Sequence, residues 1–179
     1  DLHSFPTRRS SDLYAKKGYQ LAVQLQDDYF INLNKINRAA VLSTGGFYSQ
    51  AEDLMLAMDV EKMSPKLLQY YYYTLTWVYN YWENFCNKSE FQEGLAKKRF
   101  YLGKTLEHIG NKESALYYYL SGEVEYLKQR TSKKTLQFYM KALSACPLNS
   151  RVYASSAYCI ARYYYDTDQK DLYEKYIVE

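Results

Sequence analysis

The chain has 179 residues and no run of about 18 apolar ones, so it offers no membrane-spanning helix but enough length for one continuous core or several stacked small repeats. Its formal charge of +3 is spread as 23 Lys and Arg among 20 Asp and Glu, and it lacks the one-sided basic footprint of a nucleic-acid surface. Cys86, Cys146 and Cys159 are odd in number and widely spaced, with His108 the only imidazole once His3 is set aside; this argues against zinc and reads as small buried hydrophobes.

Residues 1–13 (DLHSFPTRRSSDL) share neither the pattern nor the composition of the remaining chain and look like the translation of a sequencing adapter. They are expected to be non-native, leaving a repeat domain over 14–179. The sequence stops at Glu179 inside an amphipathic run, so the domain is read as a piece of a longer protein. From Tyr14 onward apolar residues recur at three- and four-residue intervals, which predicts helices at about 14–26, 28–43, 47–60, 65–86, 90–109, 112–129, 133–146, 149–165 and 169–178. Asp27-Asp28 marks a helix boundary as a cap, and Ser64-Pro65 pairs a cap with a proline in the first turn. Gly45-Gly46, Gly110-Asn111 and Asp166-Thr167-Asp168 supply stops. Connections this short predict antiparallel neighbours and a succession of helical hairpins.

Tyrosine supplies 23 residues, clustered at 70–73, 117–119 and 163–165. Successive side chains on a helix point about 100° apart, so each cluster is expected to divide between core and rim. Packing between helices is the simpler reading of these rings, and a tyrosine-lined groove the alternative. The stripe Tyr70, Tyr73, Trp77 and Tyr81 keeps helical spacing and is read as core.

Repeat signals are present in four places. Leu102, Gly103, Leu106, Gly110, Ala115, Tyr119 and Gly122 match the tetratricopeptide pattern of about 34 residues, with small residues at close crossings and a glycine turn. Ala39, Leu42, Gly46, Tyr48 and Ala51 form a second match; Tyr139, Ala142, Leu143 and Pro147 resemble a repeat end broken by proline; Ala161, Tyr164, Asp168 and Tyr173 are the weakest. They keep no constant register. The expected fold is all-α, antiparallel hairpins stacked as a tetratricopeptide-like right-handed solenoid, with an irregular helical bundle as the alternative.

On the segments YAKKGYQLAVQLQDDYFINLNKINRAAVLSTGGFYSQAEDLMLAM, SPKLLQYYYYTLTWVYNYW and SSAYCIARYYYDTDQKDLYEKYIVE, the chain from Tyr14 to Glu179 resembles the sensor domain of bacterial membrane-anchored tetratricopeptide-repeat regulators. The resemblance implies an exported repeat domain, then a membrane helix, a coiled coil and a cytoplasmic transcriptional output. It therefore implies the periplasmic side of the inner membrane, whereas the three cysteines suit a reducing cytoplasm equally well. Membrane association would come only through segments absent from this sequence.

No phosphate loop, His-Glu-x-x-His zinc motif or nucleophile elbow occurs, and Glu123 and Glu125 point to different sides of a helix. Neither enzymatic activity, a cofactor nor a metal is expected. Lys97, Lys98 and Arg99 read as a solvated face rather than a phosphate site. In the repeat register through Gly103, Lys97, Phe100, Lys104, Glu107 and His108 fall on the inner face of a repeat's first helix, where a protein or peptide ligand would be held. Lys97 and Lys104 would meet carboxylates and Phe100 would anchor; the competing reading is the exposed stripe of an amphipathic helix. Two further alternatives are a nucleic-acid-associated repeat protein using tyrosine stacking, which the diluting carboxylates Glu93 and Glu107 disfavour, and a soluble cytoplasmic scaffold.

Overall fold

A computed structural model describes residues 8–87 and 89–177, with side chains from Leu13 onward. Among the described residues the chain is all-helical and divides into two compact units, 1–108 and 109–179. The first holds α1 (Arg8–Gln24), α2 (Asp28–Thr44), α3 (Tyr48–Leu56), a 3-10 turn (Val60–Lys62), α4 (Pro65–Phe85) and α5 (Phe91–His108). The second holds α6 (Ala115–Lys128), α7 (Lys133–Ser144), α8 (Arg151–Asp166) and α9 (Lys170–Ile177).

Helix starts obey the expected capping chemistry. Asp27 accepts from the Phe30 N–H at 3.1 Å, and Ser64, with Pro65 behind it, accepts from Leu67 at 3.4 Å. Ser114, Ser132 and Ser150 cap α6, α7 and α8 in the same way. Three ends share one design. After α1, α2 and α8 a residue in the left-handed region (Gln26, Gly46, Asp168) lets the next N–H reach back five residues, from Asp27 to Ala22, Phe47 to Leu42 and Gln169 to Tyr164. Each turn is three residues long and reverses the chain, so α1/α2, α2/α3 and α8/α9 are antiparallel hairpins.

Three boundaries differ from the sequence expectation by three residues or more; one is the start of α6, at Ala115 instead of near 112, where Ser114 caps it. Helix α1 extends back to Arg8, whereas residues 1–7 of the segment set apart by composition lie outside the described residues. Helix α3 stops at Leu56 instead of near residue 60, because Ala57 closes it and Asp59 then caps a separate turn by accepting from the Glu61 N–H at 3.2 Å.

In the first unit, Ile36 and Ala39 of α2, Ala51 and Met55 of α3, and Leu67, Tyr71, Leu75, Val78 and Tyr79 of α4 form the core. The stripe predicted as core on α4 is offset by one position. Tyr70, Tyr73, Trp77 and Tyr81 are all half-buried, while the neighbouring Tyr71/Leu75/Val78/Tyr79 stripe is buried. An aromatic and β-branched helix is apolar on nearly every side, so spacing alone does not select the inner face. In the second unit, Tyr119 and Leu120, Tyr139 and Ala142, and Ile160, Ala161 and Tyr163 interdigitate from α6, α7 and α8. The three tyrosine clusters do divide between core and rim: Tyr71, Tyr119, Tyr163 and Tyr164 are buried, and Tyr165 is exposed.

The small repeat positions separate by environment. Ala39, Ala51 and Ala142 are fully buried. Gly46 makes the α2–α3 turn with φ of 79°, Gly110 lies in the connection after α5, Ala115 opens α6 half-buried, and Pro147 lies just past the end of α7. A Cβ on Gly122 would collide with the Tyr139 ring of α7, so this glycine does mark a close crossing. A Cβ on Gly103 would meet nothing of its own unit within 4 Å, so in that unit no crossing requires the glycine.

The two glycines therefore respond oppositely to alanine. Gly103→Ala gains roughly 0.5–1 kcal/mol of helix propensity. Gly122→Ala loses about 1–2 kcal/mol, because overpacking against a fully buried ring outweighs the same propensity gain. Urea unfolding of the two variants checks the signs; a stabilised Gly122→Ala would show that Tyr139 can move aside.

Candidate functional site

The face that holds the predicted groove residues is built by α3, α4 and α5. The buried side of α5 carries Gly94, Lys98, Leu102 and Thr105 at helical spacing against α4. Lys98 is among them, contrary to its reading as part of a solvated face. It is only 8% exposed, and its ammonium pairs with Glu83 of α4 at 2.8 Å. A lysine can take a core-facing position when its charge is met there.

Along the edge of the same interface runs a column of rings. Tyr72 stacks on Tyr101 (6.3 Å), Tyr101 on Tyr79 (5.4 Å, 2° between planes) and Tyr79 on Trp82 (5.8 Å), with His108 against Tyr72 at 5.0 Å. At the Tyr79 end, Glu52 of α3 accepts from the Tyr79 hydroxyl at 2.5 Å and from the Lys97 ammonium at 2.8 Å. Lys97 lies 5.4 Å and 5.3 Å from the Tyr79 and Trp82 ring centroids, within cation–π range, and also pairs with Glu93 at 2.9 Å. Burial alone would lower the Lys97 pKa, but hydrogen bonds to Glu52 and Glu93 outweigh it and hold the ammonium above its ordinary range. Burial, reinforced by the Glu52 hydrogen bond and charge, pushes the Tyr79 phenol far up.

The five groove candidates are thus brought onto one helix but into two settings. Lys97 and His108 belong to the ring column, with His108 Nδ1 2.8 Å from the Lys104 carbonyl. Phe100 is 57% exposed, with Lys104 6.0 Å from its ring and paired to Glu107 at 2.8 Å. The Lys104–Glu107 hydrogen bond raises the one pKa and lowers the other. Both lysines expected to meet a ligand's carboxylates already hold carboxylates of this chain.

The second unit repeats the same chemistry. Glu123 of α6 accepts from the Tyr139 hydroxyl of α7 at 2.6 Å and from Arg162 of α8 at 2.9 Å. Arg162 also donates to the Tyr139 oxygen (3.0 Å) and lies 3.7 Å from the Tyr126 centroid. The Cys159 thiol donates to Glu123 at 3.4 Å, and burial first, then the Glu123 charge, push its pKa up. In each unit, then, three successive helices contribute a glutamate, a buried tyrosine and a cation laid on an aromatic ring. The sequence holds a trace of this: YSQAE at 48–52 and YLSGE at 119–123 share a tyrosine, a small residue and the glutamate, 71 positions apart, close to two repeats of about 34. Their partners differ in spacing, so periodicity alone does not find them.

These groups can bind and orient; they offer no paired acid and base around an open position. Among the described residues no cluster of His, Cys, Asp and Glu is placed to hold a metal ion, and no helix is long and apolar enough to cross a membrane. A family model described as SusR N-terminal TPR domain matches residues 9–179. The chain belongs to that family. The SusR N-terminal TPR match takes in residues 9–13 as well as the whole predicted repeat region, and no curated protein or solved structure matches. Membership makes the chain a tetratricopeptide-type helical repeat module, a class that generally serves protein interaction. Within it the Glu–Tyr–cation clusters fix how each triplet of helices packs.

Proposed function

We propose that this SusR N-terminal TPR domain binds a protein or peptide through the exposed face of α5 that carries Phe100, as the sensor part of a bacterial membrane-anchored transcriptional regulator, and that it works on the periplasmic side. The observation that carries the binding reading is Phe100: a large ring, 57% exposed, on a helix whose other side is fixed by the ring column and the Lys98–Glu83 pair. A rigid support lets an exposed aromatic anchor a partner with little ordering cost. The nucleic-acid alternative draws less support, because Lys97, Lys98 and Lys104 each face a carboxylate of the chain.

A displayed peptide library panned against the domain tests the surface. Selected peptides should lose roughly tenfold or more in affinity for Phe100→Ala, as expected for an anchor worth above about 1.4 kcal/mol. Equal binding to both forms would remove α5 from the interface. An alkaline phosphatase fusion to the intact parent protein tests the compartment; an inactive fusion with normal expression would place the domain in the cytoplasm.

A further inference from the structure

The first unit holds a cleft of about 460 Å³ away from the α5 face, between the first half of α2 and the connection from α3 to α4. That volume lies within the roughly 300–1,000 Å³ of small-molecule sites. Its α2 wall carries Asp28 at one end, Ile31 in the middle and Lys35 at the other. Its floor includes Met58 and Leu67, 7% and 2% exposed.

The charges in the cleft are of two kinds. Lys62 and Asp59 pair with each other at 3.0 Å on the exposed rim. Asp28 and Lys35 form no ion pair and no side-chain hydrogen bond among the described residues; Lys35 is half-buried, its ammonium 5.9 Å from the Tyr19 ring centroid. An ammonium on a half-buried side chain, bonded to no carboxylate of the described residues, is an incomplete arrangement, and a ligand carboxylate would complete it. Asp28, exposed in the first turn of α2, feels the charge of Lys62 without bonding to it, and so stays open to a second cation from the cleft.

Seven residues separate the two, which is about 10 Å along a helix axis. An extended chain covers roughly 3.3–3.6 Å per residue, so a peptide of about three residues spans that distance from end to end. We propose that this cleft binds a free peptide of about three residues, its terminal ammonium at Asp28, its terminal carboxylate at Lys35 and an apolar central side chain on Met58 and Leu67. A single amino acid cannot reach both ends. The site is independent of Phe100.

The test is calorimetric titration of the 179-residue chain with the free tripeptide Ala-Leu-Ala, its N-acetylated and C-amidated forms, and free leucine. Saturable binding of the free-ended peptide is expected, weakened roughly tenfold or more by blocking either end. Asp28→Asn should reproduce the loss caused by acetylation and add nothing to it. Lys35→Met, which keeps the aliphatic stem, should do the same for amidation, and Phe100→Ala should leave binding unchanged. Helical content and melting of the variants, checked first, separate loss of the site from loss of the fold. The proposal is overturned by absence of saturable binding, by equal binding of end-blocked peptides or leucine, or by variant effects that add to the blocks instead of replacing them.

Discussion

Glu123→Ala lowers the stability of the 109–179 unit by about 3–5 kcal/mol, the cost of removing one partner from a largely buried ion pair. The Glu123 and Arg162 side chains are 12% and 25% exposed, so solvent screens them little. Loss of the carboxylate leaves the Arg162 charge without its counter-ion, the fully buried Tyr139 hydroxyl without its acceptor and the Cys159 thiol without its own. Tyr139→Phe removes the hydrogen bond donated to Glu123 and the one received from Arg162 but leaves the ion pair intact, and should cost about 1.5–3 kcal/mol. Urea unfolding of Tyr139→Phe, and of Glu123→Ala, Arg162→Leu and their double variant, measures the single costs and the coupling. A Glu123→Ala loss below about 1 kcal/mol would place the pair with surface salt bridges and sink the view of it as a packing centre.

Above pH 10 the domain is expected to unfold cooperatively. Burial, with smaller contributions from Tyr101 and Tyr72, pushes the Tyr71 phenol from 10.0 up to about 12. Burial likewise pushes up Tyr79, Tyr101, Tyr126, Tyr139 and Tyr164. A folded-state pKa raised above the unfolded value means that the folded state resists ionisation. The corresponding stability is fully present below the unfolded pKa and disappears as pH rises through the folded one. For Tyr71 the window runs from about pH 10 to about 12, and two units correspond to about 3 kcal/mol. The other raised phenols act in the same direction, so the loss adds to that of Tyr71 against a total stability that for a domain is typically about 5–15 kcal/mol. Tyrosinate absorbance and far-ultraviolet circular dichroism should therefore change together and abruptly. Gradual ionisation with the helical signal retained would show that the phenols reach solvent without unfolding.

How legible a feature was in the sequence depends on how local its cause is. Asp27, Ser64-Pro65 and Gly46 act within four residues of themselves, and the helix boundaries they imply match closely. Gln26 and Asp168 make the same kind of turn as Gly46, yet a glutamine in a left-handed position carries no signature. Lys98 looked like one of three solvated cations because its partner, Glu83, stands 15 residues away on another helix. The groove candidates fell on one face as spacing requires, but spacing says nothing of Glu52, 45 residues from Lys97, which occupies the lysine a ligand was expected to meet. Most hidden were the two Glu–Tyr–cation clusters, whose members belong to different helices.

Those clusters reach past the adjacent helix. Glu52 ties α3 directly to α5, and Glu123 ties α6 directly to α8, in each case across the helix between them. Stacked repeats ordinarily hold together through interfaces between neighbouring repeats, so that they can fray one repeat at a time from an end. A bond that skips a helix changes the unit of loss: α5 cannot leave without breaking its bond to α3, nor α8 without breaking its bond to α6. Amide exchange in each unit should accordingly be governed by blocks of three helices opening at once.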